Sequence, residues 1–441
     1  MKIEDITRQN PWWKAKGWEE QDKHLKSLKV LKYVYERNGY IPKKDGAVVI
    51  YGPRQVGKTT WIKKQVVEQL KKNKPTAIFY LDSEMVRDRF ELYKIIHSIN
   101  NLYSPKCIFV DEINSVEDWE RAIKALADEG IFRKKQVVLT GSSSLNIMKK
   151  AERLPGRMAE GQYKFRFYPL SFLEVANLYG VNAETPDKSL ANLGMLNSIL
   201  HKYFVHGGFI RPLNELDSKS ELGRDLFSIY SAWIDGELAK VKKSPEITTN
   251  IMDGIADALT NEVSWSSLSK IVTHPTTAEY VESLKDMFVL NFLEKSRHAK
   301  AGAPKNKKLY FADPFLYWLS LFRARKISSI RLADLDSTTM GKLAELSAYS
   351  SIVQFLDYES GENDFDARRH VHFEKERSGE IDFIAKYKEK TFRLECKFGQ
   401  IGKEKPGVVY LTKDKFDYNK LPLSVFLAHP FKSLELPEKL L

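Results

Sequence analysis

The sequence predicts an α/β fold that opens with a parallel sheet covered by helices on both faces, and two observations carry that prediction. Short, nearly continuous apolar runs at 47–52, 77–82, 107–112, 136–141 and 163–170 alternate with helix-length segments of mixed polarity. Strands buried on both faces have this pattern. The first run leads into Gly52-Pro53-Arg54-Gln55-Val56-Gly57-Lys58-Thr59-Thr60, which meets every fixed position of the phosphate-binding loop G-x-x-x-x-G-K-[ST] and opens a helix-like segment at 61–70.

Each element of that loop has a physical role. Its glycines let backbone N–H groups turn inward on phosphates, and the helix N-terminus adds a favourable dipole. Lys58 is expected to reach the β- and γ-phosphates of ATP, and the Thr59 hydroxyl to ligate Mg²⁺. A glycine-rich turn without a ligand is the plainer alternative, and the strand–loop–helix context argues against it.

Cys107-Ile108-Phe109-Val110-Asp111-Glu112 reads as a buried strand ending in two carboxylates, at the edge where open α/β sheets place ligands. Asp111 is expected in the Mg²⁺ shell and Glu112 as the group that orients and polarises the attacking water. An exposed acidic turn is the alternative. A further strand ends in Thr140-Gly141-Ser142-Ser143-Ser144, where Thr140 or Ser142 could sense the γ-phosphate or position the water.

Composition bounds the rest. A chain of 441 residues exceeds one ordinary core, and we divide it into 1–185, 186–325 and 326–441. No apolar run is long enough for a membrane helix, and the polar start Met1-Lys2-Ile3-Glu4-Asp5 is not a signal peptide. Two cysteines, Cys107 and Cys396, sit inside apolar runs, which suits a reduced, cytoplasmic protein. The net charge of +12 favours a polyanionic partner such as DNA, with a generally lysine-rich surface as the alternative.

The motif order continues with Arg153-Leu154-Pro155-Gly156-Arg157 and Tyr168-Pro169-Leu170-Ser171-Phe172, and Asn10-Pro11-Trp12-Trp13 precedes it. Together these resemble the archaeal and bacterial AAA-type ATPases of the Gly-Pro-Arg-Gln-Val-Gly-Lys-Thr-Thr group. The resemblance implies a five-stranded AAA-type sheet and an arginine on the γ-phosphate in cis or in trans, the latter requiring a homo-oligomer. Arg157 is the first candidate and Arg153 the second; a surface loop arginine is the alternative.

In the middle part, 264–271 and 278–288 read as helices around Thr273-His274-Pro275-Thr276-Thr277, with Thr276 or Thr277 as the cap. A hairpin follows at 290–295 and 309–312. This is the layout of a winged helix, and a comparable segment occurs in the family resembled. Acidic Glu279, Glu282 and Asp286 make the second helix a poor match to a phosphate-lined groove. The wing residues Arg297, Lys300, Lys305, Lys307 and Lys308 suit DNA backbone contact better, a structural lid or oligomer contact being the alternative. His274 and His298 have no partner ligands and are assigned no metal.

The last part holds strand-like runs at 371–375, 380–387, 391–398, 408–412 and 424–428. Asp382, Glu395 and Lys397 have the spacing D-x12-E-x-K on two strands joined near Glu389. Glu395 and Lys397 share a face. Two carboxylates there can hold a second divalent ion, Mg²⁺ or Mn²⁺, which activates water. The set resembles the PD-(D/E)XK nuclease signature, and Glu345 matches the acid such folds place on their first helix. A charge network on a hairpin is the alternative. The readings that follow are an ATPase controlling a nuclease-like, DNA-binding domain, a nucleotide-gated binding switch that cuts nothing, and an ATPase that remodels a protein partner.

Overall fold

Five apolar runs become the parallel strands β1 (Gly46–Tyr51), β2 (Ile78–Asp82), β3 (Cys107–Asp111), β4 (Gln136–Gly141) and β5 (Lys164–Arg166), in the order β2-β3-β4-β1-β5. The computed structural model describes residues 2–37, 46–142, 158–296, 307–376 and 379–438. Arg153, Arg157, Arg297, His298, Lys300 and Lys305 lie outside the described residues. The chain divides into a unit of Met1–Phe167 with Gly361–Asp364 and a unit of Tyr168–Ser360 with Phe365–Leu441.

In the first unit β1 is buried from Ala47 onward and sits between β4 and β5. Its end turns sharply into the loop, and Gly52 is required there: a Cβ would lie 2.3 Å from the Phe167 carbonyl oxygen. Gly57 takes φ 99°, a left-handed conformation that suits glycine, and opens the helix Lys58–Leu70. Trp61, Ile62 and Val66 of that helix pack with Val48, Ile50, Phe109 and Val138 of the sheet.

The edge strand β2 is closed by side chains in place of another strand. Asn10 donates to the Tyr80 carbonyl at 2.8 Å and accepts the Tyr80 N–H at 2.8 Å. Trp12 and Trp13 donate their indole N–H groups to the Ile78 carbonyl, and Gln9 accepts the Asp82 N–H. An uncovered edge invites pairing with another chain; the Asn10–Trp13 element blocks it. At the other edge Asn363 accepts the N–H groups of Tyr163 and Lys164, and Asp364 pairs with the buried Lys164 ammonium at 2.5 Å.

The second unit joins what the sequence divided. Its helices include Leu193–His206, Arg224–Lys240, Pro245–Asp257, Pro314–Arg325 and the 24-residue Ser337–Ser360. A seven-stranded mixed sheet has the order β14-β13-β12-β11-β10-β7-β8. Its members are β7 (Leu290–Lys295), β8 (Lys307–Phe311), β10 (Val371–Glu376), β11 (Gly379–Tyr387), β12 (Lys390–Lys397), β13 (Val409–Thr412) and β14 (Lys420–Pro422). The strands β6 (Glu221–Gly223) and β9 (Ser329–Arg331) pair separately. The hairpin β7–β8, expected as a projecting wing, is instead a sheet edge, because β7 pairs in parallel with β10 through His372↔Glu294 and Phe373↔Lys295.

Two local expectations also change. The run 424–428 is helical, within Leu423–Ala428, and every residue of that helix is buried; a fully buried run has no period from which to tell helix from strand. The helix expected to start at Thr276 or Thr277 begins at His274 after Thr273, with Pro275 in its first turn, where a missing N–H costs little. Among the described residues no helix is long and apolar enough to cross a membrane.

Candidate functional site: a phosphate loop with paired carboxylates

The helix Lys58–Leu70 carries Lys58 and Thr59 in its first turn, so both start from the helix end that favours anions. Lys58 is buried, and its ammonium donates to the carbonyls of Gly52 at 2.9 Å and Pro53 at 2.8 Å. Arg54 pairs with Glu84 at 3.2 Å, and Gln55 takes a positive φ of 63°. Val56 and Thr60 are half-buried on the loop and helix.

Asp111 ends β3 next to this turn. One of its oxygens accepts the Thr59 hydroxyl at 2.6 Å and the Tyr80 hydroxyl at 3.3 Å; the other accepts the Thr140 hydroxyl and the Glu112 N–H. Thr59 and Asp111 therefore stand side by side. A hydroxyl and a carboxylate are hard oxygen donors, and this donor set fits Mg²⁺.

Glu112 departs from strand geometry at φ 49°, outside the ordinary region for a non-glycine residue. Its carboxylate accepts the Ser142 hydroxyl at 3.0 Å, while Asn114 accepts the Ser142 N–H. Thr140 thus serves Asp111, and Ser142 serves Glu112. Burial is the largest influence on the Glu112 carboxyl and raises its pKa, against the opposing pull of Lys58. If ionised Glu112 orients the attacking water, ATP turnover should rise with pH through a value above the ordinary glutamate range. That limb should disappear from the residual activity of Glu112→Gln, which a pH–rate profile measures directly.

Tyr80, Ser83, Lys63 and Asn114 were not singled out by motif. Tyr80 reaches Asp111 because β2 and β3 are neighbours in register, with Tyr80 beside Phe109. Ser83 donates to the Asp111 carbonyl at 2.7 Å. The Lys63 ammonium lies 3.6 Å from the Tyr80 ring centre and 3.8 Å from Asp22, and burial lowers its pKa. Tyr80→Phe should raise the Mg²⁺ concentration for half-maximal turnover roughly 2- to 10-fold, the scale of one hydrogen bond. An unchanged Mg²⁺ titration would remove Tyr80 from the site.

The second unit assembles its own charged cluster. Glu345 comes from the helix Ser337–Ser360, Asp382 from β11, Glu395 and Lys397 from β12. The hairpin turns at Lys388, φ 53°, with Tyr387 opposite Lys390 and Phe383 opposite Leu394. Asp382 accepts the Cys396 N–H at 2.8 Å, and Glu345 accepts the Tyr310 hydroxyl at 2.6 Å. Glu395 is held by Lys397 at 2.9 Å and Lys405 at 2.8 Å. Among the described residues no group of three or more His, Cys, Asp or Glu side chains is arranged to hold a metal ion.

The wing expectation changes at Lys308. Lys308 is fully buried, and its ammonium pairs with Glu345 at 3.0 Å, with Asp382 at 3.5 Å and with Glu380. It has no surface from which to touch a DNA phosphate. Lys307 is half-buried, with its ammonium 3.8 Å above the Trp265 ring, and burial lowers its pKa. Of the five wing residues, these are the two within the described residues.

The strand order, the loop and the paired acids define a P-loop nucleotide-binding unit of AAA type. Residues 44–176 match the family model described as an AAA domain, and residues 197–325 match a domain of unknown function, DUF8612. The chain is 23% identical over 408 residues to an uncharacterized protein of Methanocaldococcus jannaschii, covering 89% of this chain and 84% of that one. Among solved structures it is similar to the Aeropyrum pernix ORC1 protein in complex with DNA, at TM-score 0.30 and 12% identity over 64% of this chain and 87% of that one. Another is Cdc6p of Pyrobaculum aerophilum, at TM-score 0.26 and 13% identity over 70% and 94%. The S. cerevisiae Hsp104-ADP complex gives TM-score 0.29 and 16% identity over 64% and 40%.

Proposed function

We propose that this protein binds ATP with Mg²⁺ and hydrolyses it, and that its nucleotide state controls a DNA-binding C-terminal module. The observation that carries the ATPase reading is the chain of contacts joining Thr59 to Asp111, Asp111 to Thr140, and Glu112 to Ser142. It holds two acids in different settings beside the phosphate loop. The loop from Gly52 to Thr60 would cradle the phosphates with its N–H groups, and Lys58 would leave its carbonyl partners for the β- and γ-oxygens. Thr59 and Asp111 would hold Mg²⁺, which supplies neutralisation of phosphate charge. Glu112, aimed by Ser142, would orient the water in line with the γ-phosphate. Arg157 remains the first candidate for the γ-phosphate arginine, acting in cis or between copies of the chain, with Arg153 second.

The DNA reading rests on the charge of +12 and on a basic segment that retains Arg297, Lys300, Lys305 and Lys307 after Lys308 is withdrawn. Steady-state ATP turnover with and without DNA tests it: stimulation supports a DNA partner, and an indifferent rate points to a protein partner instead. A cytoplasmic setting suits these partners.

The nuclease reading keeps one observation in its favour, the convergence of Glu345, Asp382, Glu395 and Lys397. We favour binding without cutting, because Lys308, Lys397 and Lys405 already neutralise those acids. Plasmid nicking in Mn²⁺ by the wild type, absent from Lys397→Ala, would restore the nuclease reading.

A further inference from the structure

We infer that the Lys308 ammonium is the resident cation of the C-terminal acid cluster, standing where a nuclease-like site would take a divalent metal. The position is fixed by three separate elements. Glu345 arrives from a long helix, Glu380 and Asp382 from β11, and Lys308 from β8 at the sheet edge. All three carboxylates lie within ion-pair distance of the single ammonium. Lys308 is 0% exposed, Glu345 9% and Asp382 7%, so bulk water screens these charges poorly.

The residues present fit an ammonium better than a divalent ion. Burial alone would lower the Lys308 pKa, but the charges of Glu345 and Asp382 and the hydrogen bond to Glu380 outweigh it and raise it. The ammonium is therefore held charged. It carries three N–H donors: Glu345 accepts one at 3.0 Å, Glu380 accepts another, and Asp382 adds its negative charge at 3.5 Å. A metal entering between Glu345 and Asp382 would have to part the Lys308 ammonium from both carboxylates, although the lysine is fully buried and the Phe373 ring centre lies 5.6 Å away. Leaving a lysine charge there without a carboxylate is strongly unfavourable. Glu395 offers no alternative seat, since Lys397 and Lys405 hold its two oxygens.

This arrangement explains why the hairpin β7–β8 belongs to the sheet. Lys308 ties β8 to the helix Ser337–Ser360 and to β11, with Tyr310 of the same strand donating to Glu345. The acids that look catalytic in sequence are then a structural lock, whose counter-charge is built into the chain.

Thermal unfolding in nucleotide-free buffer, with and without millimolar Mn²⁺, tests the inference on the full chain. Wild type and Asp382→Asn should respond to Mn²⁺ alike. Lys308→Ala should melt lower and recover several degrees with Mn²⁺, because it exposes a cation seat of the right charge. Lys308→Met, which removes the charge but keeps the bulk, should melt lower without recovery. A saturable Mn²⁺-dependent rise in wild type that Asp382→Asn abolishes would overturn the proposal, and this comparison decides the matter even if Lys308→Ala fails to fold. Lys308→Ala that folds and ignores Mn²⁺ would overturn it as well.

Discussion

Glu112→Gln should bind ATP as tightly as the wild type and hydrolyse it roughly 10² to 10⁴ times more slowly, the range for loss of a positioned acid–base group. Binding is expected to survive because Lys58, Thr59 and the loop N–H groups are untouched, and the amide can still accept the Ser142 hydroxyl. What is lost is the negative charge that holds and polarises the water. Lys58→Ala should behave in the opposite way and lose ATP itself, since it removes the buried ammonium at the loop. Calorimetric titration with a non-hydrolysable ATP analogue and a phosphate-release assay separate the two. Equal turnover by wild type and Glu112→Gln would remove Glu112 from its role.

The second large effect is on stability. Lys308→Met should destabilise the C-terminal unit by ~3–5 kcal/mol, the range for breaking a buried ion pair from one side. Methionine nearly matches the volume of lysine, so the loss comes from three carboxylates left without their cation and not from a cavity. In the same experiment, replacing an exposed lysine such as Lys71, which pairs with the exposed Glu68 three residues earlier, should cost no more than ~1 kcal/mol. A Lys308→Met protein as stable as the wild type would mean that the cluster is protonated and needs no cation. Burial raises the pKa of both Glu345 and Asp382, so the sign of the pH effect is defined. Protonating them with Lys308 absent relieves repulsion, and the deficit of Lys308→Met should shrink as pH falls.

How much of this was legible depended on whether partners were close in sequence. The phosphate loop is a contiguous motif, and Asp111 and Glu112 end an apolar run, so their positions follow from strand–loop–helix spacing alone. Glu395 and Lys397 were placed together for the same reason: they are two residues apart on one strand. Tyr80 could not be found that way. Its contact with Asp111 depends on β2 lying beside β3, a matter of sheet order.

In sequence alone Lys308 reads as a wing residue, for a related reason. In a list of basic residues at a hairpin tip it looks like a phosphate contact. Only the merging of β7–β8 into the C-terminal sheet brings it to Glu345, 37 residues away in sequence. The Asn10–Trp13 element was visible as a motif without a purpose, because its work is to satisfy the edge of β2 about 65 to 70 residues downstream.

The measurement closest to the central claim is the DNA affinity of Glu112→Gln at fixed salt, loaded with ATP and Mg²⁺ or with ADP and Mg²⁺. This variant should hold ATP long enough for equilibrium titration against a labelled duplex. If nucleotide state controls the C-terminal module, the two dissociation constants should differ at least fivefold, the lower end of ordinary coupling between sites. Dissociation constants that agree within error, on a duplex the protein does bind, would contradict the account.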